Sequence, residues 1–367
     1  MKILVIWKAL VSETYHKKLK ELTKFKDVEL TLVVPTRWGN TKLEKNYCEE
    51  YKIIPRKVVL NGYNHLHWYH GLEKVVRQIR PNIFHIEEEH YSFVTYQAIR
   101  LTKRYNIKCL FVSWQNIYKK YPFPFSCIER YNLENADYAI VGNKEVKDIL
   151  LRKGFNNERI SIIPLGTNPL LFRRIESSKL KSGLRLEAFT IGYLGRFVKE
   201  KGVIDLLKAV SQLKCNFNLL MIGNGRLRYK IKAEGRRLGI LERIRILNSF
   251  PSSQVPYYIN CMDCLVLPSR TTKKWKEQFG RVLIEAMSCE VPVVGSDSGE
   301  IPNVIGDSGL VFKEGDINDL YSKLKLLINN VELRMKLANK GRKRVLNNFT
   351  QEKVARETYK VYQKIMC

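Results

Sequence analysis

The chain has 367 residues, 45% hydrophobic and 27% charged, with 64 basic against 36 acidic side chains and a formal net charge of +28. The length predicts two domains of ordinary size, and the composition excludes a disordered or fibrous protein. No run approaches the roughly 18 consecutive apolar residues of a membrane span, and Lys8 cuts "MKILVIWKAL" too short for a signal peptide. A cytoplasmic protein is the expectation.

In chain order, strand-like runs fall at 2–7, 29–35, 82–87, 108–114 and 138–143, with helical spacing between them at 13–25 and 71–80. A second series begins after residue 188, with strands at 189–195, 216–225, 243–250, 263–269, 291–297 and 309–312. Between the two series, Pro, Gly, Ser and charges over roughly 164–187 mark a linker. A last helical stretch at about 351–366 follows the break "NNFT". Strands alternating with helices imply parallel sheets covered on both faces. The expected fold is α/β, two doubly wound Rossmann-like domains facing across a cleft. Residues 1–165 with the C-terminal helix 351–367 would form one domain, and 166–350 the other.

The eight cysteines are scattered, so no disulfide framework follows, and the Cys261–Cys264 pair lacks a second pair of ligands. All six histidines lie within the first 90 residues. Neither "HLHWYH" (65–70) nor "HIEEEH" (85–90) has the H-E-x-x-H order that would place two ligands on one helix face. No metal is expected. The positive charge suits nucleic acid, an anionic membrane surface or anionic small molecules. The basic residues run along the whole chain without a nucleic-acid motif, so a solvated Lys-rich surface covers most of them. Nucleic acid is not the expected partner. The segment "IYKKYPFPF" (117–125) mixes aromatics with cations, as an anionic membrane surface or an ordinary packed loop would use.

Polar clusters sit at the ends of the second series of strands, where open α/β sheets bind ligands. "GYLGRFVKEKG" (192–202) opens a strand into Gly195, Arg196 and Lys201 ahead of a helix, which suits an anion. Solvated cations fit the same letters. "MIGNG" brings Gly223 to the next strand end, and "LNSFPSS" brings Phe250 to another. "KKWKEQFGRVLIEAM" (273–287) places Glu277 and Glu285 eight positions apart, with Gly280 where a helix should begin. Eight helical residues rise about 12 Å, whereas glycosidase carboxylate pairs lie roughly 5–9.5 Å apart. Two hydroxyl-binding carboxylates at opposite ends of an extended ligand fit better than an acid and base on one bond. One loop Glu and one exposed helix Glu is the plainer alternative.

"GRFVKEKG", "IGNG", "LPSRTTKKWKEQFGRVLIEAMSCEVPVVGSDSGEIPNVIGDSGLVF" and "NNFTQEKVARETYKVYQKI" together resemble the family 4 retaining glycosyltransferases, which have a GT-B fold. The resemblance runs across nearly all of 160–367 and is looser before it. It implies that Arg196 and Lys201 hold the diphosphate of a nucleotide-sugar, and that Glu277 binds hydroxyls of the transferred sugar. It also implies that amides around Gln278, Phe279, Gly280 and Arg281 contact sugar or phosphates, that Glu285 binds the ribose, and that the segment near Phe250 meets the base. Gly195 and Gly223 would line the same donor site. The implied reaction is metal-independent transfer with retention of anomeric configuration, and no D-x-D motif occurs in the chain. The co-substrate would be a UDP- or GDP-sugar, the acceptor a glycan or lipid-linked molecule, and no cofactor is needed.

Two features depart from the family pattern. "WKALVSETY" follows the first strand in place of a glycine-rich loop, and "VSWQNIYKKYPFPF" puts Gln115 and Asn116 where many members carry a histidine. With His85 and Glu87 at a strand end, these are the acceptor-side candidates. Two other readings stand beside the transferase: another GT-B enzyme, such as a phosphorylase or nucleotide-sugar epimerase, and a non-catalytic basic nucleic-acid binder. A glycan, glycolipid or exopolysaccharide pathway at the inner face of the membrane is the expected setting.

Overall fold

The computed structural model describes residues 1–45 and 47–367, with the side chain of Thr14 left aside. The chain divides into two compact units, residues 1–164 with 351–367 and residues 165–350. Each is built on one parallel sheet.

In the first unit the strands are β1 (Lys2–Ile6), β2 (Glu29–Pro35), β3 (Lys52–Arg56), β4 (Ile83–Ile86), β5 (Lys108–Ser113), β6 (Tyr138–Val141) and β7 (Ile160–Ile162). They lie in the order β7-β6-β5-β4-β1-β2-β3. Ile3 pairs with Leu30 on one side and Ile83 on the other. Central strands such as Ile3–Ile6 and Ile83–Ile86 are buried throughout, as a sheet covered on both faces requires. Sequence pattern missed β3 and β7, and both are edge strands. Pro55 lies within β3, and proline is tolerated in a sheet only where one side needs no ladder bond.

The helix expected over 13–25 is replaced by tight 3-10 turns at 8–11 and 13–15 and a short helix, Lys17–Leu22. The buried His16 ring explains the difference. It bonds the Leu10 carbonyl at 3.0 Å and the Tyr51 hydroxyl at 2.7 Å, holding the chain in turns until the ring is placed. The C-terminal helix Gln351–Met366 belongs to this unit. Its Tyr362 hydroxyl lies 2.6 Å from His85 Nδ1, and both residues are fully buried.

In the second unit the strands are β8 (Phe189–Leu194), β9 (Phe217–Ile222), β10 (Ile244–Leu247), β11 (Cys264–Leu267), β12 (Val293–Ser296) and β13 (Leu310–Phe312). Their order is β10-β9-β8-β11-β12-β13, all parallel. The stretch read as a linker is packed structure. Phe172 is buried, and its carbonyl accepts from Ser288 Oγ at 2.6 Å and Arg342 at 2.9 Å. Thr167 N–H donates to the Phe349 carbonyl at 2.8 Å, so the two ends of the unit meet side by side. Pro, Gly and Ser content signals irregular backbone, which here is folded against a core.

Removing a hydroxyl from a buried pair strands its partner, at a cost of about 1–3 kcal/mol. Tyr362→Phe is therefore expected to destabilise the first unit by that amount in denaturant titration. Tyr359→Phe, which loses an exposed bond to Asp27, should change stability by less than about 1 kcal/mol.

Candidate active site

Each sheet reverses its direction of growth once. In the second unit the chain runs β8, β9, β10 outward, then returns to place β11 on the other side of β8. Neighbouring crossovers diverge at such a point, which leaves a crevice beyond the carboxyl ends of the strands. There the chain delivers Gly195 and Arg196 after β8, and Ser269 onward after β11.

Lys201 ends a single 3-10 turn, Lys199–Lys201, and its ammonium lies 2.5 Å from Glu277 Oε2. Ser269 Oγ donates to the same oxygen at 2.7 Å. The Trp275 ring centroid sits 4.9 Å from Lys201 Nζ, within cation–π reach. Thr272 shapes the turn that carries Trp275. Its N–H donates to the Trp275 carbonyl at 2.7 Å, and its hydroxyl accepts the Trp275 N–H at 3.0 Å. Arg270 grips Asp205 through two bonds of 2.5 and 2.7 Å and donates its N–H to the Glu200 carbonyl. The loop after β11 is thus tied to the turn that bears Lys201. Arg196 has an exposed side chain, and its carbonyl accepts from the Tyr193 hydroxyl at 2.8 Å. Burial raises the Tyr193 phenol, with Glu277 adding to the rise and Arg196 opposing it.

Two glycines set the backbone at Glu277. Gly299 has φ +56°, and a Cβ there would stand 2.0 Å from the Glu277 carbonyl oxygen. That carbonyl also accepts from Glu300 N–H at 3.2 Å. Gly280 caps the helix Arg281–Ser288 in the left-handed region, φ +81°, with no side chain bonding the first turn. The free N–H groups and the dipole of that helix end favour an anion. Phe279 is buried and packs edge-on to Phe349 at 5.7 Å, so its ring anchors the helix start, while Gln278 is exposed. Glu285 is buried and faces Arg281 Nε at 2.8 Å. Burial raises its pKa and Arg281 opposes the rise. Beyond β10, Phe250 stacks on Tyr258 at 4.1 Å and 10°. Gly195 and Gly223 extend their strands by N–H bonds of 3.0 and 3.1 Å to Ile222 and Leu247.

The structure therefore gathers Lys201 and Glu277 into one contact and Arg281 and Glu285 into another. Ser269, Thr272 and Trp275 had no signal in the sequence, because hydroxyl partners and ring faces follow no spacing rule.

The acceptor-side candidates lie deeper than their strand-end positions suggested. His85 is fully buried against Tyr362, and burial lowers its pKa. Burial would raise Glu87, but the Lys18 ion pair and His85 override it and hold the carboxyl at about 2. His85 is a core residue bound to the C-terminal helix, a correction to its reading as a ligand-facing side chain. Gln115 is also buried; its Nε2 donates to the Tyr121 hydroxyl at 2.8 Å, and its Oε1 finds no partner among the described residues. Asn116 is buried beside it. Among the described residues no three His, Cys, Asp or Glu side chains converge as a metal site would need. No described helix is long and apolar enough to cross a membrane.

Comparison with known proteins adds a family. The Glycosyltransferase Family 4 domain matches residues 13–169 and the Glycosyl transferases group 1 domain matches residues 175–344, most of the chain between them. A capsular polysaccharide biosynthesis glycosyltransferase, CapM of Staphylococcus aureus, is 27% identical over 75% of this chain and 73% of its own length. The N-acetyl-alpha-D-glucosaminyl L-malate synthase of Bacillus anthracis is 27% identical over 64% of this chain, which spans only 58% of that relative. Anabaena HepE, solved in complex with UDP, superposes with a TM-score of 0.81 at 15% identity, covering 99% of this chain and all of that one. Such likeness shows the fold, which is GT-B.

Gly299→Ala must push the Glu277 backbone aside from a left-handed position, a strain of about 1–3 kcal/mol. The melting midpoint should fall by several degrees. Gly183→Ala, with nothing within 4 Å of its new methyl group, should leave it unchanged.

Proposed function

Because the chain is a glycosyltransferase of the family 4 type, we propose that it moves a sugar from a nucleotide-sugar to a glycan or lipid-linked acceptor, with retention of anomeric configuration and without a metal. The contact between Lys201 and Glu277 at the switch point of the second unit carries this reading. A sugar hydroxyl and a diphosphate need a carboxylate and a cation side by side, and the pair supplies both. In the resting site each neutralises the other, with Ser269 holding the carboxylate and Trp275 the ammonium. Substrate separates them: the carboxylate takes hydroxyls of the sugar, and the ammonium turns to the phosphates.

The bond that breaks joins the anomeric carbon to a phosphate oxygen, so charge grows on the diphosphate as it leaves. Lys201, Arg196 and the start of the helix Arg281–Ser288 stabilise that charge, and a preorganised donor of this kind contributes roughly 10²–10³ in rate. This reading uses no side chain as a nucleophile. Retention then has the acceptor hydroxyl attack from the side the diphosphate leaves, and the departing phosphate oxygen receives its proton. Glu285, paired with Arg281, would meet the ribose, and the Phe250–Tyr258 stack offers a flat surface to the base. The uridine nucleotides named with HepE make a UDP-sugar the first donor to try. The relatives named for capsular polysaccharide and teichuronic acid biosynthesis point to an envelope glycan.

The reading extends to a cytoplasmic protein attached peripherally to an anionic membrane, with the aromatic and basic segment 117–125 as its support. Phe123 is 82% exposed, and Lys119, Lys120, Arg130, Lys153 and Arg159 line a cavity of about 770 Å³ together with Glu129 and Glu134, of which Glu129 pairs with Lys153 at 2.7 Å.

Nucleotide release from UDP-, GDP- and ADP-sugars, with and without chelator, tests the donor reading. One donor should turn over equally in chelator, and Glu277→Ala and Lys201→Met should each lose about 10² or more in kcat/KM. Full activity of Glu277→Ala with that donor would refute the sugar-site assignment, and chelator sensitivity would refute metal independence. Co-sedimentation with phosphatidylglycerol vesicles should be lost in Phe123→Ser and weakened by salt; absence of binding by the wild-type chain at low salt refutes the membrane reading.

A further inference from the structure

In the first unit the helices Leu72–Ile79 and Phe93–Tyr105 border a cavity of about 600 Å³. Phe93, Tyr96, Gln97, Arg100, Leu101 and Arg104 line it, at the spacing of one helix face. Its wall is aromatic. The Trp68 and Phe93 ring centroids lie 5.6 Å apart, and those of Phe93 and Tyr96 lie 6.0 Å apart. Trp68 is 36% exposed and sits on an antiparallel pair of short strands, Val58–Val59 and Trp68–Tyr69. Gln97 pins that pair: its Oε1 accepts the Tyr69 N–H at 2.9 Å, and its Nε2 donates to the Tyr69 carbonyl at 2.8 Å. A side-chain amide thus stands where a further strand would, and it fixes the indole at the cavity.

The charged lining residues are Glu73, Arg100 and Arg104. Glu73 accepts from the Tyr105 hydroxyl at 2.6 Å and pairs with Arg104 at 2.9 Å, so these two charges neutralise each other. Arg100 differs. Its side chain is exposed, its guanidinium carbon lies 5.7 Å from the Tyr96 ring centroid, and no carboxylate pairs with it among the described residues. One cation is left over beside the rings. Aromatic faces take flat apolar surface, such as the C–H face of a pyranose, and a guanidinium grips a carboxylate through two parallel bonds. An acyl chain would cover Arg100 without giving it a partner, which is unfavourable. A nucleoside diphosphate asks for more than one free cation.

We propose that Trp68, Phe93, Tyr96 and Arg100 form a binding site for a segment of acidic glycan, a chain whose sugar rings carry carboxylates. The rings pack against C–H faces, Arg100 grips a carboxylate, and Glu73 and Arg104 bond hydroxyls at the edge. The helix Phe93–Tyr105 runs back from the carboxyl end of β4 toward the amino end of β5. Arg100 therefore stands roughly 10 Å along it from the rim of strand ends. The role of the occupant rests on the glycosyltransferase reading above: it is a part of the acceptor chain behind the sugar that reacts. A second foothold of this kind raises the affinity for long chains over single sugars.

Calorimetric titration of the full chain tests this with trigalacturonate and a hyaluronan tetrasaccharide, beside the neutral maltotriose and chitotriose. At least one acidic oligosaccharide should bind, about tenfold or more tighter than either neutral one. Trp68→Ala and Arg100→Ala should each weaken it by about tenfold or more. Both side chains are exposed, so the variants keep the fold. Lys230→Ala, which removes an exposed cation of the second unit, should leave binding unchanged, and excess UDP should not displace the oligosaccharide. No acidic binding by the wild type, equal binding of the neutral chains, or unchanged binding in Trp68→Ala or Arg100→Ala would each overturn the proposal. So would an equal loss in Lys230→Ala, which marks general attraction to a positive chain, or displacement by UDP, which marks a nucleotide site. Nucleotide-sugar turnover in the same preparation reports on the donor reading. Its absence would refute that reading, while oligosaccharide binding still decides this site.

Discussion

A parallel strand can join its neighbour only through a crossover, and a chain of right-handed crossovers brings every strand's carboxyl end to the same side. Both large sheets of this protein are parallel at every strand pair, so their carboxyl ends share one side. Each also reverses its order once, so each has one place where crossovers part and side chains from two strand ends meet. At each of these places stands a lysine against a glutamate, Lys8 with Glu88 and Lys201 with Glu277. Isolated buried pairs of this kind seldom repay their desolvation. On the proposed reading, the pair in the second unit is a stored contact that substrate hydroxyls and phosphates replace. Ser269 and Trp275 keep that pair aligned, while Lys8 of the other pair lies over the Trp38 ring.

The same constraint explains what the sequence disclosed. Buried strands such as Ile3–Ile6 and Val293–Ser296 are apolar runs because both faces are covered, and their ends mark where ligands go. Gly280 and the spacing from Glu277 to Glu285 were legible for a related reason. A helix must begin beside a loop carboxylate, and only glycine takes φ +81° at that point without strain. The two edge strands of the first unit escaped because β7 has only three residues and β3 carries Pro55, which removes the usual strand signal.

Side-chain pairing across long sequence distances was not legible. His85 reads as a polar group at a strand end, yet the C-terminal helix brings Tyr362 against it, 277 residues away. Glu87, Glu88 and Glu89 look alike in the sequence and have different partners: Lys18 for the first, Lys8 for the second, Ser113 and Trp114 for the third. Only the folded chain decides which partner each of the three meets. Trp275 likewise gives no periodic signal, because the Thr272 turn alone aims its ring at Lys201.

The central claim is that a nucleotide-sugar lies along the carboxyl ends of β8, β10 and β11, with its base at Phe250 and its diphosphate at Arg196 and Lys201. Photolabelling with a base-azido UDP-glucose or its guanosine counterpart, followed by peptide mapping, reads that position directly. The account predicts labelling in the segment around Phe250 and Tyr258, suppressed by the unlabelled nucleotide. Label in residues 1–164, or label in the second unit that excess nucleotide fails to suppress, would contradict it.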